Sequence, residues 1–487
     1  MKHIKIDPIT RLEGHGKIDI FLNDAGEVAN TYFQIPELRG FEQFCVGRPV
    51  EEMPRITTRI CGVCPEAHHM ASVKACDAVF HVEVPPTGKK LRQLLYNTFY
   101  AGDHTLHFYA LGGPDFVVGP DAPAAERNIL GVVKKVGLEV GGKVIEMRKR
   151  TQEVIKMIGG KQTHQVTSLP GGISKGITEE ERKQIEQHCI WFVEFGKFTQ
   201  QVFNDIVLKN KAYVDLILSD SYNLKIYSMG LVDEKNRVNF YDGKVRVKDP
   251  DGNELVKYSP NEYLENVAEH VEPWTYLKFP FLKKVGWKGF VEGKQSGIYH
   301  ATPLSRLNAA DGMPTPLAQA EYEKMYSTLG GKPVHAMLAT HWARIIELLS
   351  AAEMALDLAR DPEITGTHFR NIPTATPTEG VGIVEAPRGT LTHHYTTDEK
   401  GILTKVNLIV GTTNNYAPIS MSIGKAARGL IKRGTEVSDG VLNMIEMAFR
   451  SYDPCFGCAT HAFTGRHALE VRIFDSSGEL VQKVTRS

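Results

Sequence analysis

Two Cys-x-x-Cys units stand near opposite ends of the chain, Cys61-Gly62-Val63-Cys64 and Cys455-Phe456-Gly457-Cys458. Each spacing can present two sulfurs to one side of a tight turn. All four meet around one soft metal only if the fold closes end to end, so the first and last segments must touch. From the cysteines alone, structural zinc, an iron–sulfur cluster, or nickel with iron all satisfy a four-thiolate set. A single pair also serves dithiol chemistry, which does not call for two pairs. Each pair has a histidine downstream, His68 and His461, and a charged neighbour, Arg59 and Asp453. A structural zinc site needs none of these escorts, so the pattern points to a catalytic thiolate-bound metal.

The chain must supply a large interior around such a site. Its 487 residues exceed the size at which single cores stop growing, which implies more than one lobe. Acidic and basic residues number 57 each, leaving no net field to draw nucleic acid or an anionic membrane. The N-terminus, Met1-Lys2-His3-Ile4-Lys5-Ile6, has no apolar signal region, and no apolar run approaches the roughly 20 residues of a spanning helix. Seven cysteines scattered over so long a chain do not make a disulfide framework. The expectation is a soluble, cytoplasmic protein that binds no nucleic acid and has no direct membrane span.

Periodicity divides one large unit without repeats or low-complexity linkers. Residues 1–60 form an N-terminal β region, with Lys17 to Leu22 alternating, a turn at Asn23-Asp24-Ala25-Gly26, and a return strand from Val28 to Gln34. Residues 61–225 form a helical core, with helices over 65–82 and 91–111 and a capped, acid-started stretch from Thr178 to about Ser219. Residues 226–290 are a β subdomain, with strands over 238–247 and 254–258 around the turn Asp249-Pro250-Asp251-Gly252. Residues 291–461 return to helices at about 334–360 and 437–450, with strands and loops over 376–415. The expected class is α+β, a long-helix bundle with β subdomains at its edge.

The residues around the cysteines carry a resemblance. Arg59-Ile60-Cys61-Gly62-Val63-Cys64-Pro65-Glu66-Ala67-His68 and Asp453-Pro454-Cys455-Phe456-Gly457-Cys458-Ala459-Thr460-His461 resemble the two cysteine motifs of the [NiFe]-hydrogenase large subunit. So do Asp7-Pro8-Ile9-Thr10-Arg11-Leu12-Glu13-Gly14-His15, Arg39-Gly40-Phe41-Glu42, His104-Thr105-Leu106-His107-Phe108-Tyr109 and Glu385-Ala386-Pro387-Arg388-Gly389. The texture is most similar to the methyl-viologen-reducing, deazaflavin-non-reducing branch.

The resemblance implies reversible heterolytic cleavage of dihydrogen. Cys61, Cys64, Cys455 and Cys458 would bind nickel, with Cys64 and Cys458 bridging to an iron that carries carbon monoxide and cyanide. Glu13 would receive the proton, first from Cys455. Arg388 would face the metals, held by Asp453 and Asp115, with Pro387 shaping the pocket, Thr412 meeting a cyanide and His68 orienting the cage. Glu42, His461 and the Leu408 carbonyl would hold magnesium or iron at a second site. Implied partners are an iron–sulfur small subunit, an adaptor and heterodisulfide reductase. Gly112-Gly113-Pro114 departs from the bulkier family pattern, and Gly411 replaces its usual proline.

Cys45, Cys76 and Cys189 read as buried thiols, and His104 and His107 as helix packing. After His461 come 26 residues, Ala462 to Ser487, a tail that many family members lose to a maturation protease. Here 468–474 alternates, Ser476-Ser477-Gly478 turns, and 479–484 pairs back as a hairpin, the pattern of an ordered tail. Two rivals belong to other classes: a nickel-free proton-coupling subunit related to the quinone-pocket subunit of respiratory complex I, and a structural-zinc interaction protein. Neither accounts for Glu13, Glu42, Arg388 and His461 together.

Overall fold

A computed structural model describes residues 2–6, 11–35, 40–459, 469–474 and 480–486, giving only the backbone for 2–3, 458–459 and the last two segments. Strands β1 (Lys2–Ile6), β2 (Lys17–Leu22) and β3 (Val28–Gln34) form an antiparallel sheet in that order. Ile18 and Ile20 of β2 point inward, as the period-two alternation demands.

Helices then build the interior: α1 (Pro65–Val79), α2 (Pro86–Leu106), α3 (Leu138–Gly159) and α4 (Glu179–Phe203), with α5 (Thr340–Arg360) at the centre against α2 and α4. Helix α5 is buried without interruption from Thr340 to Ala352, because its Ala, Leu and Ile residues surround the axis rather than form one stripe. Helix α4 starts in a capping box, with Thr178 Oγ1 accepting from the Glu181 N–H at 3.1 Å and Glu181 Oε2 accepting from the Thr178 N–H at 2.8 Å. The amphipathic stretch expected to continue to Ser219 is divided. After a π turn over Asn204–Leu208 it restarts at Lys211–Leu218, where the Asn210 side chain caps the new helix.

The chain between α4 and α5 contains β4 (Tyr227–Val232), β5 (Lys244–Lys248) and β6 (Glu254–Tyr258) in one sheet and β7 (Val267–Val271) and β8 (Lys278–Leu282) in another. The strand expected from 238 is shorter. Asn239 Oδ1 accepts from the N–H groups of Tyr241 and Asp242, and this side-chain turn holds the backbone out of the ladder until Lys244.

Strands β9 (Glu379–Ala386), β10 (Gly389–Thr397) and β11 (Leu403–Ile409) form an antiparallel meander that lies on α1. A Cβ on Gly382 would stand 2.1 Å from the Ala71 carbonyl oxygen, so only glycine permits this approach. The contact brings the N-terminus of α1, which carries the first cysteine pair, beside the Pro387-Arg388 turn that joins β9 to β10.

Helices α6 (Tyr416–Leu430) and α7 (Asp439–Arg450) lead to the second cysteine pair. Beyond it, β12 (Leu469–Phe474) and β13 (Leu480–Arg486) pair antiparallel, as the alternation of the tail anticipates. Among the described residues no helix is long and apolar enough to cross a membrane.

Candidate metal centre

The first pair is shaped by the entry into α1. Cys64 is the residue before its first turn and Pro65 opens it, so Cys64 sits at the positive end of a helix dipole. Cys61 Sγ accepts from the N–H groups of Val63 at 3.1 Å and Cys64 at 3.3 Å. Both features favour sulfur as thiolate.

The second pair is positioned by the opposite end of the chain. Glu13 and Cys455 form an isolated parallel bridge, and the Phe456 N–H donates to the Glu13 carbonyl at 3.0 Å. Thr412 Oγ1 accepts from the Cys455 N–H at 3.1 Å, so the Thr412 hydroxyl orients the cysteine backbone. Cys61 Sγ lies 3.3 Å from Cys455 Sγ, across 394 residues of sequence. With Cys64 they form a buried group whose sulfurs all lie within 4.8 Å of one another. The Cys458 side chain and His461 lie outside the described residues; the Cys458 backbone is in the short helix Phe456–Ala459.

Glu13 is in direct touch with this group. Its Oε2 accepts from Cys455 Sγ at 3.1 Å and from the Gly457 N–H at 2.8 Å. A Cβ on Gly457 would stand 2.5 Å from Glu13 Oε1, so glycine there makes room for the carboxylate.

Arg388 projects from the β9–β10 turn, and Asn415 Nδ2 holds its carbonyl at 2.7 Å. Its guanidinium, 4% exposed at the side chain, pairs with Asp453 Oδ2 at 2.9 Å and Asp103 Oδ2 at 3.0 Å. Burial alone would raise the Asp453 carboxyl, but Arg388, His107 and Arg344 together hold it well below the usual carboxylate range. Asp103 stays raised, its burial only partly offset by Arg388.

The expected partner Asp115 is therefore a correction. Asp115 pairs with Arg11 and Arg450 and accepts from Asn443 Nδ2 at 3.1 Å, away from Arg388. The cause is local: α2 runs into a π turn over His107–Gly112, and Pro114 then starts a new short helix. Asp103 in the last turn of α2 faces the cage, while Asp115 is carried round towards α7. Arg388 Nε and Asp103 Oδ1, both buried, have no hydrogen-bond partner among the described residues, so the pocket wall keeps unspent polar capacity.

Pro387 offers its carbonyl to Arg306 and Arg344, each at 3.2 Å. Glu42 Oε1 accepts from the Leu408 N–H at 2.7 Å, and Lys278 Nζ is 3.9 Å from its other oxygen. Burial raises the Glu42 pKa despite that cation and the N–H bond. His68 Nδ1 lies 3.2 Å from His393 Nε2, and His393 continues to Tyr395 at 2.6 Å.

Helix α5 supplies three residues that the sequence reading passes over. Arg344 reaches Asp453, His341 reaches His107, and Glu347 binds Arg306 at 2.7 Å and His104 at 3.0 Å. Their spacing of three along the buried, mostly apolar first half of the helix was the available signal. His104 is thus tied to a charged network, and burial leaves it neutral, with its pKa lowered to about 3. Cys45, Cys76 and Cys189 are buried and free.

Known proteins share this framework. A family model described as nickel-dependent hydrogenase matches residues 39–130 and 303–461, and one described as HoxL-like matches residues 3–38. An F420-non-reducing hydrogenase iron-sulfur subunit from Archaeoglobus profundus is 50% identical over 484 residues, 99% of each chain. An F420-non-reducing hydrogenase subunit from Methanothermobacter marburgensis is 41% identical over 99% of this chain and 100% of its own. A solved NAD+-reducing [NiFe]-hydrogenase in the H2-reduced state has a TM-score of 0.86 at 35% identity, covering 95% of this chain and 100% of that one.

Proposed function

Because this chain belongs to the nickel-dependent hydrogenase family, as an enzyme of the catalytic large-subunit type, we propose that its cysteine cage holds nickel and that its own side chains manage the proton. The observation that carries the reading is the convergence of Cys61, Cys64 and Cys455, with Glu13 3.1 Å from the Cys455 sulfur. The donor set fits: the sulfurs are buried, polarizable, and met by N–H groups and a helix N-terminus. Cys458 would complete it. When bound, nickel and an iron carrying carbon monoxide and cyanide supply an open coordination position at which dihydrogen is split heterolytically.

The chain's own residues do the rest. Cys455 Sγ holds a proton and passes it to Glu13 Oε2, and the Gly457 N–H keeps that oxygen in place to receive it. Arg388, fixed by Asp103 and Asp453, keeps a cation over the cage, where its free Nε can meet an anionic ligand such as cyanide. Thr412 sets the Cys455 backbone, and His68 braces the cage from α1 through His393. Glu42, the Leu408 backbone and His461 would hold magnesium or iron, hard cations suited to oxygen and imidazole donors.

The relatives are components of larger hydrogenases, which implies a small-subunit partner for this chain as well. We take that partner to carry iron–sulfur clusters, and the chain to work in the cytoplasm with an adaptor that feeds heterodisulfide reductase. A maturation protease would remove the tail after His461. We also read residues 1–487 as one large unit. Neither the nickel-free proton-coupling reading nor the zinc clasp is favoured.

The test is nickel, iron and zinc analysis of anaerobically purified enzyme, joined to hydrogen–deuterium exchange in wild type and Glu13→Gln. The expected result is about one nickel per chain in both, with exchange slowed in the variant by roughly a hundredfold or more. Zinc alone would overturn the nickel assignment. Unchanged exchange would remove Glu13 from the proton route.

A further inference from the structure

His107 and His341 remain without a role in this scheme. His107 opens the turn of π-helix over His107–Gly112, a geometry that inserts one residue into a helix and recurs at functional sites. Its Nδ1 lies 3.0 Å from Asp453 Oδ1, in contact with the carboxylate though poorly aligned as a hydrogen bond. Its Nε2 lies 3.4 Å from His341 Nδ1, and the two rings stack 5.5 Å apart at 11°.

The tautomers follow from the partners. The Asp453 carboxylate only accepts, so neutral His107 carries its proton on Nδ1 and presents a bare Nε2. His341 must then present Nδ1–H. Burial keeps both rings neutral, with His107 lowered to about 4 and His341 lowered well below the usual histidine range. The series ends on Asp453 Oδ1, while Asp453 Oδ2 faces Arg388 at 2.9 Å and Arg344 at 3.4 Å. One helix, α5, delivers Arg344 to this carboxylate and His341 to the His107 ring beside it.

The space for the pair is also built in. A Cβ on Gly112 would stand 2.5 Å from His341 Cε1 and 3.1 Å from His107 Nε2.

We propose that His107 and His341 form a positioning pair that fixes one oxygen of Asp453, so that the other holds the Arg388 guanidinium over the cysteine cage. The proposal rests on the hydrogenase reading for its effect on turnover, but its geometric content stands apart from it.

The test uses the full holoenzyme with its partner subunit. His341→Leu removes the Nδ1 donor, His341→Asn restores an N–H at the same reach, and Gly112→Ala displaces the ring while keeping it. The Leu and Ala variants are expected to lose about tenfold to a hundredfold in turnover, with nickel content and KM for dihydrogen unchanged. The Asn variant should recover most of the loss. Crystal structures of the Leu and Ala variants should show the Asp453–Arg388 contact lengthened from 2.9 Å. Wild-type turnover with an unmoved contact would overturn the proposal, as would equal losses in Leu and Asn. Should His341→Leu not fold, Gly112→Ala carries the test by itself. If nickel-loaded wild type fails to turn over dihydrogen, the hydrogenase reading falls, and the Asp453–Arg388 separation still judges the pair.

Discussion

Glu13 illustrates how one residue is placed by backbone before its side chain acts. The bridge to Cys455 and the Gly457 N–H fix the carboxylate from two sides, and the Gly457 Cα leaves no room for a methyl group. Gly457→Ala is expected to retain nickel while slowing hydrogen–deuterium exchange by about tenfold, because the proton acceptor is pushed off its line. The two aspartates that flank the histidine segment separate in the same way. Asp103→Asn loosens Arg388, which keeps Asp453, and should cut turnover by at least about tenfold. Asp115→Asn takes a carboxylate from Arg11 and from buried Arg450, which keeps Glu446, and should cost about 1–3 kcal/mol in urea denaturation. The fixed Cys-x-x-Cys spacing made the cysteines readable in the sequence. Nothing in the linear order told which aspartate faces them, because that is set by a π turn over His107–Gly112 that gives no periodic signal.

Among the elements, those whose code is local were legible. The capping box at Thr178 and the Asp249-Pro250-Asp251-Gly252 turn both carry their own side-chain chemistry. Helix α5 was legible as a helix but not as a source of site residues, since its apolar run draws attention away from His341, Arg344 and Glu347. Their network reaches the β9 strand through Arg306, which binds Glu347 at 2.7 Å and Glu385 at 3.2 Å. Burial raises the Glu385 carboxyl from 4.5 to about 7 despite Arg306. The folded chain therefore holds this proton more tightly than the unfolded one. The stability it contributes is fully present below about pH 4.5 and is lost as pH rises through about 7. At 1.36 kcal/mol per unit the loss is about 3 kcal/mol. Denaturation of wild type and Glu385→Gln between pH 5 and 8 should show the wild type declining by about that much more than the variant, since buried Glu66, raised to about 8, titrates in both. Parallel curves would mean that Glu385 is ionised throughout the range.

At the scale of the whole molecule, the end-to-end closure demanded by the cysteine pairs decides the architecture. Helices α1, α2 and α5 and the β9–β11 meander form the body, and the segments that carry Glu13 and Cys455 meet beside the first cysteine pair. The cage sulfurs of Cys61 and Cys455 stand 394 residues apart in sequence, so their meeting depends on nearly every contact between. A metal clasp across them restrains a loop of that length in the unfolded chain, and by the chain-entropy relation for cross-links this is worth about 6 kcal/mol. Metal removal should accordingly lower the denaturation midpoint of the wild type, and a Cys61→Ser variant should start from the lower value and respond less. The same geometry has a meaning in time as well as in energy. Synthesis runs from the first pair towards the second, and Cys455 emerges 394 residues after Cys61. A product that stops between them holds half a cage and no more, so the capacity to retain nickel doubles as a record that translation passed the second pair.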